Sequence, residues 1–274
     1  MVQTSSPVVR QITDADIPSD AVGIWWLGQA SVALKLEGQI IYIDPYLDPA
    51  ERRMMPPPFA PEEVTNADLV LLTHDHIDHI DPATLPGLAA ASPRARFLAP
   101  APLRDRAGEL VGDVERVDAA AAGTPHIFGD IEILPLPAAH EEFDEHPELG
   151  HHYLGFVLRA GGVTIYHAGD TVPYEGLVES LAELKIDLAF LPINGRDFFR
   201  TRANTIGNMD YREAAEIASQ AGIDTVIPIH WGMFAGNTVP PGYIATYVAE
   251  HGLDVSIHVP ALARPWIYSA MPRT

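Results

Sequence analysis

A continuous apolar stretch, Ala67–Leu72, runs directly into Thr73-His74-Asp75-His76-Ile77-Asp78-His79-Ile80-Asp81. The apolar run reads as a strand buried on both faces, and four potential metal ligands follow it within six residues. Alternation in an extended segment puts His74 and His76 on one side and Asp75 on the other. A turn then presents Asp78 and His79 to a second position. Burying such a loop without a metal would leave many polar groups unpaired. The chain has no cysteine, which removes disulfides, thiolate zinc sites and thiol nucleophiles together. Any transition metal must be held by carboxylates and by some of the 12 histidines, donors that suit zinc, iron or manganese.

Around that loop the sequence predicts short strands first, then strands alternating with helices. Ile24–Leu27, Ser31–Leu36 and Gln39–Ile43 read as a meander broken at Gly28 and at Glu37-Gly38. Residues 48–62 carry five prolines and read as a surface loop. Asp81-Pro82 reads as a helix start, with Asp as cap and Pro at the first helical position. Further strands are expected at Arg96–Leu98, Ile131–Leu136, Leu154–Arg159, Val163–His167, Leu188–Ile193, Thr225–Ile229 and Val255–Val259. Helices are expected near Pro102–Val111, Tyr174–Glu183, Asp210–Ala221 and Gly242–Glu250. Residues 1–22 read as a loose N-terminal arm and 23–274 as one domain. The segments Leu34–Asp44 and Val157–Asp170 share a plan: strand, Gly turn, strand containing Ile-Tyr, then Asp. That echo reads either as two ordinary hairpins or as a duplicated half-domain, each half delivering an Asp to a shared seam.

Composition bounds the partners. Apolar residues make up 47% of the 274 and charged ones 20%, so a large core is available and global disorder is excluded. The net charge of −20 repels polyanions, which argues against nucleic acid and acidic membranes. The polar N-terminus, with Asp14, Asp16 and Asp20, has no signal-peptide pattern, and no apolar run is long enough to span a bilayer. A soluble cytoplasmic protein acting on a small molecule is the expectation, with self-association left open.

His74-x-His76-x-Asp78-His79 after an apolar strand resembles the signature of the metallo-β-lactamase superfamily of hydrolases. The resemblance runs from about Gly23 to Pro265 and implies an α/β fold, the αββα four-layer sandwich, with a dinuclear site between two similar halves. Asp44 matches the family's first motif, an acid that supports the metal loop. His140 in Leu136-Pro-Ala-Ala-His, Asp170 in Tyr166-His-Ala-Gly-Asp-Thr and His230 in Ile227-Pro-Ile-His-Trp match the later ones. By this resemblance His74, His76 and His140 hold one divalent ion, Asp78, His79 and His230 hold the other, and Asp170 bridges them. Zn2+ or Mn2+ is implied, with water on the metal as nucleophile. Asp170 would help hold the oxyanion, and Asp78 or a water would protonate the leaving group. His167 reads as core packing, His151 and His152 as a strand end, and His126, His251 and His258 as surface or structural.

Trp26-Leu-Gly-Gln-Ala-Ser, Ile43-Asp-Pro-Tyr-Leu-Asp and the histidine loop together look like the L-ascorbate-6-phosphate lactonase branch. More distantly they look like N-acylphosphatidylethanolamine phospholipase D. The segment Pro192–Met209 concentrates Arg196, Arg200 and Arg202, whose planar forks match phosphate or carboxylate oxygens. With Asn194 and Trp231 they are the candidate substrate contacts. The lactonase itself is longer and lacks a histidine matching His140, so metal and substrate need not be shared. The expectation is a lactonase for an anionic, phosphorylated or carboxylated, sugar-type lactone. The alternatives are a phosphodiesterase or phospholipase D-like hydrolase on the same ions, a ribonuclease of the RNase Z kind, which the net charge disfavours, and a metal-binding regulatory protein without turnover.

Overall fold

The computed structural model describes residues 6–270. Helix α1 (Pro7–Asp14) leads into β1 (Ala21–Gly28), β2 (Ser31–Leu36), β3 (Gln39–Ile43) and β4 (Leu69–Leu71). Then come α2 (Leu85–Ala91), β5 (Arg96–Pro100), α3 (Arg104–Val111) and β6 (Val117–Ala120). The second half runs through β7 (His126–Phe128), β8 (Ile131–Pro137), the small ladder β9 (Glu145–His146) with β10 (Gly150–His151), β11 (Leu154–Ala160) and β12 (Val163–His167). It continues with α4 (Leu177–Leu184), β13 (Leu188–Pro192), α5 (Phe198–Arg202), α6 (Tyr211–Gln220), β14 (Thr225–Ile229), α7 (Gly242–His251) and β15 (Ser256–Ile257). Strand β16 (Pro265–Ser269) returns to the first sheet beside β1.

The strands form two seven-stranded sheets, ordered β16-β1-β2-β3-β4-β5-β6 and β15-β14-β13-β12-β11-β8-β7. Period-two alternation decides what each face meets. In β1, Ile24 and Trp26 enter the core between the sheets, while Trp25 and Leu27 meet the outer layer. From the second sheet Phe156, Ile165 and Phe190 enter the same central core, while Val157, Tyr166 and Ala189 face outward. Helices α1, α2 and α3 cover the first sheet with Ile12, Leu88 and Ala107, and α4, α6 and α7 cover the second with Leu181, Ile217 and Ile244. Each fully buried Leu, Ile or Phe contributes about 1.5–3 kcal/mol. The layers are therefore helix, sheet, sheet, helix: the αββα sandwich.

The two hairpins that echo each other in sequence occupy equivalent places. β2–β3 is antiparallel and β3 then pairs parallel with β4; β11–β12 is antiparallel and β12 then pairs parallel with β13. Asp44 follows directly on β3, and Asp170 lies three residues beyond β12.

Two local expectations are overturned, and one edge strand is additional to those expected. The N-terminal segment is not loose over its described part. Helix α1 buries Val9 and Ile12, Trp25 Nε1 donates to Gln11 Oε1 at 3.4 Å, and Lys35 Nζ donates to Ala15 O at 2.8 Å. The helix after the histidine loop begins at Leu85 rather than at Asp81-Pro82. Asp81 instead ties a turn, its Oδ1 accepting from Ala83 N at 2.9 Å and Oδ2 from the Thr84 hydroxyl. Strand β16 went unpredicted because it is an edge strand, with Ile267 half exposed and Pro265 at its start.

Candidate metal centre

Parallel strands end at one rim of the sandwich, and the polar residues collect outside their carboxyl ends, where open α/β sheets bind ligands. Asp44 leaves β3, the loop from Thr73 to Asp81 leaves β4, Asp170 follows β12 and His230 follows β14. His140 lies three residues past β8. The turns are tight: Asp44 and His230 have φ of 45° and 62°. Gly169 has φ of 61°, and a Cβ there would lie 2.9 Å from Thr73 Cβ. Only glycine lets the two halves approach so closely at that point.

The result is two adjoining clusters. His74, His76 and Asp170 place ligand atoms within 4.8 Å of one another, and so do Asp78, His79 and His230. Asp170 sits between the clusters, with Oδ1 3.3 Å from His79 Nε2 and Oδ2 3.1 Å from His230 Nε2. His140 borders the first group, its Nε2 4.0 Å from Asp170 Oδ2 and its ring 4.9 Å from that of His76. Behind them, fully buried Asp44 accepts from Thr73 N at 2.8 Å and from the Thr73 hydroxyl at 2.6 Å, and its Oδ2 lies 2.6 Å from His79 Nδ1. His79 therefore carries its proton on Nδ1 toward Asp44, leaving Nε2 to face Asp78 and Asp170.

Burial sets the protonation states. It lowers His74 well below the usual imidazole range, helped by neighbouring His79, and lowers His140 to about 4. Burial would lower His79 too, but the Asp170, Asp44 and Asp78 carboxylates together hold it well above its ordinary value. Burial would raise Asp170, and His230 and His79 overcome that and hold it well below the usual carboxylate range. At neutral pH, His74 and His140 thus offer free lone pairs beside an ionised Asp170. Four buried atoms of the set, His74 Nε2, His79 Nε2, His140 Nδ1 and Asp170 Oδ1, make no well-directed hydrogen bond among the described residues, the 3.3 Å approach of His79 Nε2 to Asp170 Oδ1 being an ion-pair contact. Such orphans are costly in a protein interior, and a His/carboxylate set of this kind fits a divalent transition metal.

His167 is indeed inside the fold and outside the clusters. Its Nε2 donates to Ala30 O at 2.8 Å while Nδ1 accepts from Gly169 N at 3.2 Å, steadying the turn before Asp170. His151 and His152 pair with Glu145 and Asp144. The substrate contacts read from sequence are redistributed. A cavity of about 570 Å3 opens on the clusters, lined by Arg52, Ile77, Asn204, Thr205, Ile206, Phe234 and Asn237 besides the ligand-type residues. Arg196 does not line it; a bidentate pair with Glu213 at 2.7 and 2.8 Å and a bond to Asn208 O occupy its guanidinium. Arg200 is bonded to Asp197, Asn194 O and Asn237 Oδ1, and Arg202 is exposed and outside the lining. Trp231 stacks on Trp26 at 4.4 Å and donates to Pro228 O, packing instead of facing the cavity.

Sequence reasoning overlooked Gln29, Arg52, Tyr153 and Asn237. Gln29 is fully buried, and its Nε2 lies 2.9 Å from Asp78 Oδ2 and 3.0 Å from His230 Nε2. Its positive φ of 53° after Gly28 was legible only as a turn. Tyr153 packs its ring 5.0 Å from that of His74, and burial raises its hydroxyl to about 12. Arg52 was hidden in the proline-rich loop.

Fold and site define a class, and the sequence comparisons agree with it. A sequence model of the beta-lactamase superfamily domain matches residues 39–231, so the chain belongs to the metallo-β-lactamase superfamily, and it is an enzyme, a metal-dependent hydrolase. Its relatives include a UPF0173 metal-dependent hydrolase of Hyperthermus butylicus, 30% identical over 243 residues that cover 85% of this chain and 94% of that one. Another UPF0173 metal-dependent hydrolase, of Pyrococcus furiosus, is 32% identical over 225 residues, 80% of this chain and 87% of that one. Among solved structures, the metallo hydrolase Igni18 of Ignicoccus hospitalis superposes with a TM-score of 0.72 at 21% identity, over 92% of this chain and all of that one. An isothiocyanate hydrolase from Delia radicum gut bacteria gives 0.69 at 21%, over 90% of this chain and all of that one. At such identities the two structures speak for the fold alone. Among the described residues, no helix is long and apolar enough to cross a membrane.

Proposed function

We propose that the enzyme holds two divalent ions, Zn2+ or Mn2+, and opens the lactone or ester bond of a small anionic compound. His74, His76 and His140 would hold one ion, Asp78, His79 and His230 the other, and Asp170 would join both. The observation that carries this reading is the set of orphaned buried nitrogens and oxygen around Asp170, shared by two clusters. Ions bound there would polarise a carbonyl and render water nucleophilic at neutral pH.

The chain's own groups do the rest. Asp44 fixes the tautomer and orientation of His79, and Gln29 Nε2 restrains Asp78 from behind. Asp78, with a side chain 13% exposed, is more open than Asp170 at 4% and lines the cavity. It is therefore the carboxylate positioned to take a proton from the attacking water and pass it to the departing alkoxide. The cavity accommodates a small molecule, and its resemblance-based substrate class is a phosphorylated or carboxylated lactone.

The test is a panel of a lactone, an aryl ester and bis(p-nitrophenyl) phosphate, run with metal-loaded and chelated protein. Lactone or ester hydrolysis that disappears on chelation and returns with Zn2+ or Mn2+ is expected. Activity confined to the phosphodiester would replace this reading with a phosphodiesterase.

Asp44→Asn checks the ligand assignment from one residue away. The amide can still accept from Thr73 N with its oxygen, but it then turns an N–H toward the N–H of His79. Disturbing such a supporting partner typically costs about 10- to 100-fold in metal affinity, to be read by competition against a chelating dye. Unchanged affinity would remove His79 from the ligand set.

A further inference from the structure

The cavity lining also includes residues that are not candidate metal ligands, and the chemistry of two of them is complementary to an anion. Arg52 is the only Arg or Lys in the lining. Its Nε and Nη2 donate to the Tyr46 hydroxyl at 3.2 and 3.1 Å, and its guanidinium carbon lies 5.8 Å from the Phe234 ring centroid. Nη1 has no protein acceptor, and no carboxylate pairs with Arg52 within 4.0 Å, among the described residues. Arg196, Arg200 and Arg212, by contrast, are each matched to an acid. In a chain of net charge −20, Arg52 thus brings a guanidinium with a free donor to the cavity wall, where the Asp48 and Asp78 carboxylates act on it only at longer range.

Asn237 stands in the turn after Phe234, its N–H donating to Phe234 O. Its Oδ1 accepts from Arg200 Nη1 at 2.9 Å and from Asn194 Nδ2 at 2.9 Å. A guanidinium can only donate, so the atom facing Arg200 must be the oxygen, which fixes the amide's orientation. Nδ2 is then the free end, a double donor with no protein acceptor among the described residues, in a residue that lines the cavity.

We propose that Arg52 and the Asn237 amide form a carboxylate- or phosphate-reading subsite that selects anionic substrates for this hydrolase, with Arg200 and Asn194 as positioning residues behind Asn237. The inference rests on the hydrolytic reading above and names its substrate class. Charge-assisted contacts of this kind are worth roughly 10- to 150-fold in kcat/KM when lost. A neutral substrate has nothing for the subsite to hold, and neither Arg52 nor Asn237 is among the proposed metal ligands.

The experiment compares γ-butyrolactone-3-carboxylate with its carboxamide on metal-loaded wild type, Arg52→Ala and Asn237→Asp. Both variants should lose roughly 10- to 150-fold on the carboxylate, mainly through KM, with the amide changed less than about threefold. Arg200→Ala should show the same split in weaker form, which a merely structural loss, lowering kcat on both, would not. Equal losses on the two lactones, or no loss on the carboxylate, overturn the subsite.

A second arm is independent of turnover: calorimetric binding of the dicarboxylates from malonate to adipate against acetate. At least one dicarboxylate should bind wild type about tenfold or more tightly than acetate, and the advantage should vanish in Arg52→Ala. If wild type opens neither lactone, the lactone reading fails while this arm still decides the subsite. No dicarboxylate preference in wild type, or one that survives Arg52→Ala, refutes the subsite.

Discussion

Asp170→Ala should strip both metal clusters at once and reduce hydrolysis by on the order of 10^3-fold or more. The carboxylate reaches His79 with one oxygen and His230 with the other, and it completes the His74–His76 group. Asp78 also lies near His79 and His230, at 3.9 and 3.7 Å, but among the described residues no other acid belongs to the first group and approaches the second. Metal-derived stabilisation of developing charge is worth several kcal/mol, and each 1.4 kcal/mol is roughly tenfold. Elemental analysis of protein purified without added metal should find both ions reduced, in contrast to His74→Ala, whose loss should concentrate on one. A variant that retains a full metal complement would show that Asp170 does not join the clusters.

Removing metal from the intact protein should lower its melting temperature by roughly 5–10 °C. A ligand at a hundred times its dissociation constant stabilises by about 2.7 kcal/mol, and a chain of this size shifts about 2–4 °C per kcal/mol. The chelated protein should then lose further stability as pH falls from about 6.5 to about 4. In that window the unfolded chain protonates His140 while the folded chain resists until about 4, so protons favour the unfolded state by up to about 3 kcal/mol. His74 acts in the same direction. His79 opposes it only above the window: held well above its ordinary value, it is already protonated in both states below 6.5. Asp170, held well below the carboxylate range, stays ionised in the folded state. Melting curves of chelated protein across that range check the sign, and a stability that rises toward pH 4 would mean that His74 and His140 are not buried neutral.

The parts of this molecule that were legible in the sequence are those set by short-range pattern. Alternation and apolar runs located most strands of both sheets, and the His74–His79 spacing located the loop that joins the clusters. Gly169-Asp170 and His230 were visible as strand-end residues because strand ends are where such turns occur. What the pattern could not carry was pairing between segments distant in the chain. Nothing local distinguishes Arg196, locked to Glu213 seventeen residues on, from Arg52, which is left facing a cavity. The three arginines between 196 and 202 drew attention by density, yet density reports neighbours in sequence and not what lies across the groove. Asn194 was singled out for a position after a strand, and its contact with Asn237 depends on a loop 43 residues away. Helix α1 escaped for the same reason: its small apolar face becomes informative only once Trp25 and Val70 provide a surface for it.

The seam between the halves has a consequence for how metal affinity arises. His74, His76, Asp78 and His79 come from the first half, and His140, Asp170 and His230 from the second, and each cluster takes members from both. The folded chain is in this sense a bivalent chelator whose two arms are half-domains, and packing supplies the effective concentration of one arm at the other. The close approach of Gly169 to Thr73, the bond from Leu154 N to Thr73 O and the bond from His230 N to Gln29 O are the joints that set that concentration. Substitutions at Gly169, Thr73, Leu154 or Gln29, none of which is among the proposed ligands, should therefore register as weakened metal binding before they register as unfolding.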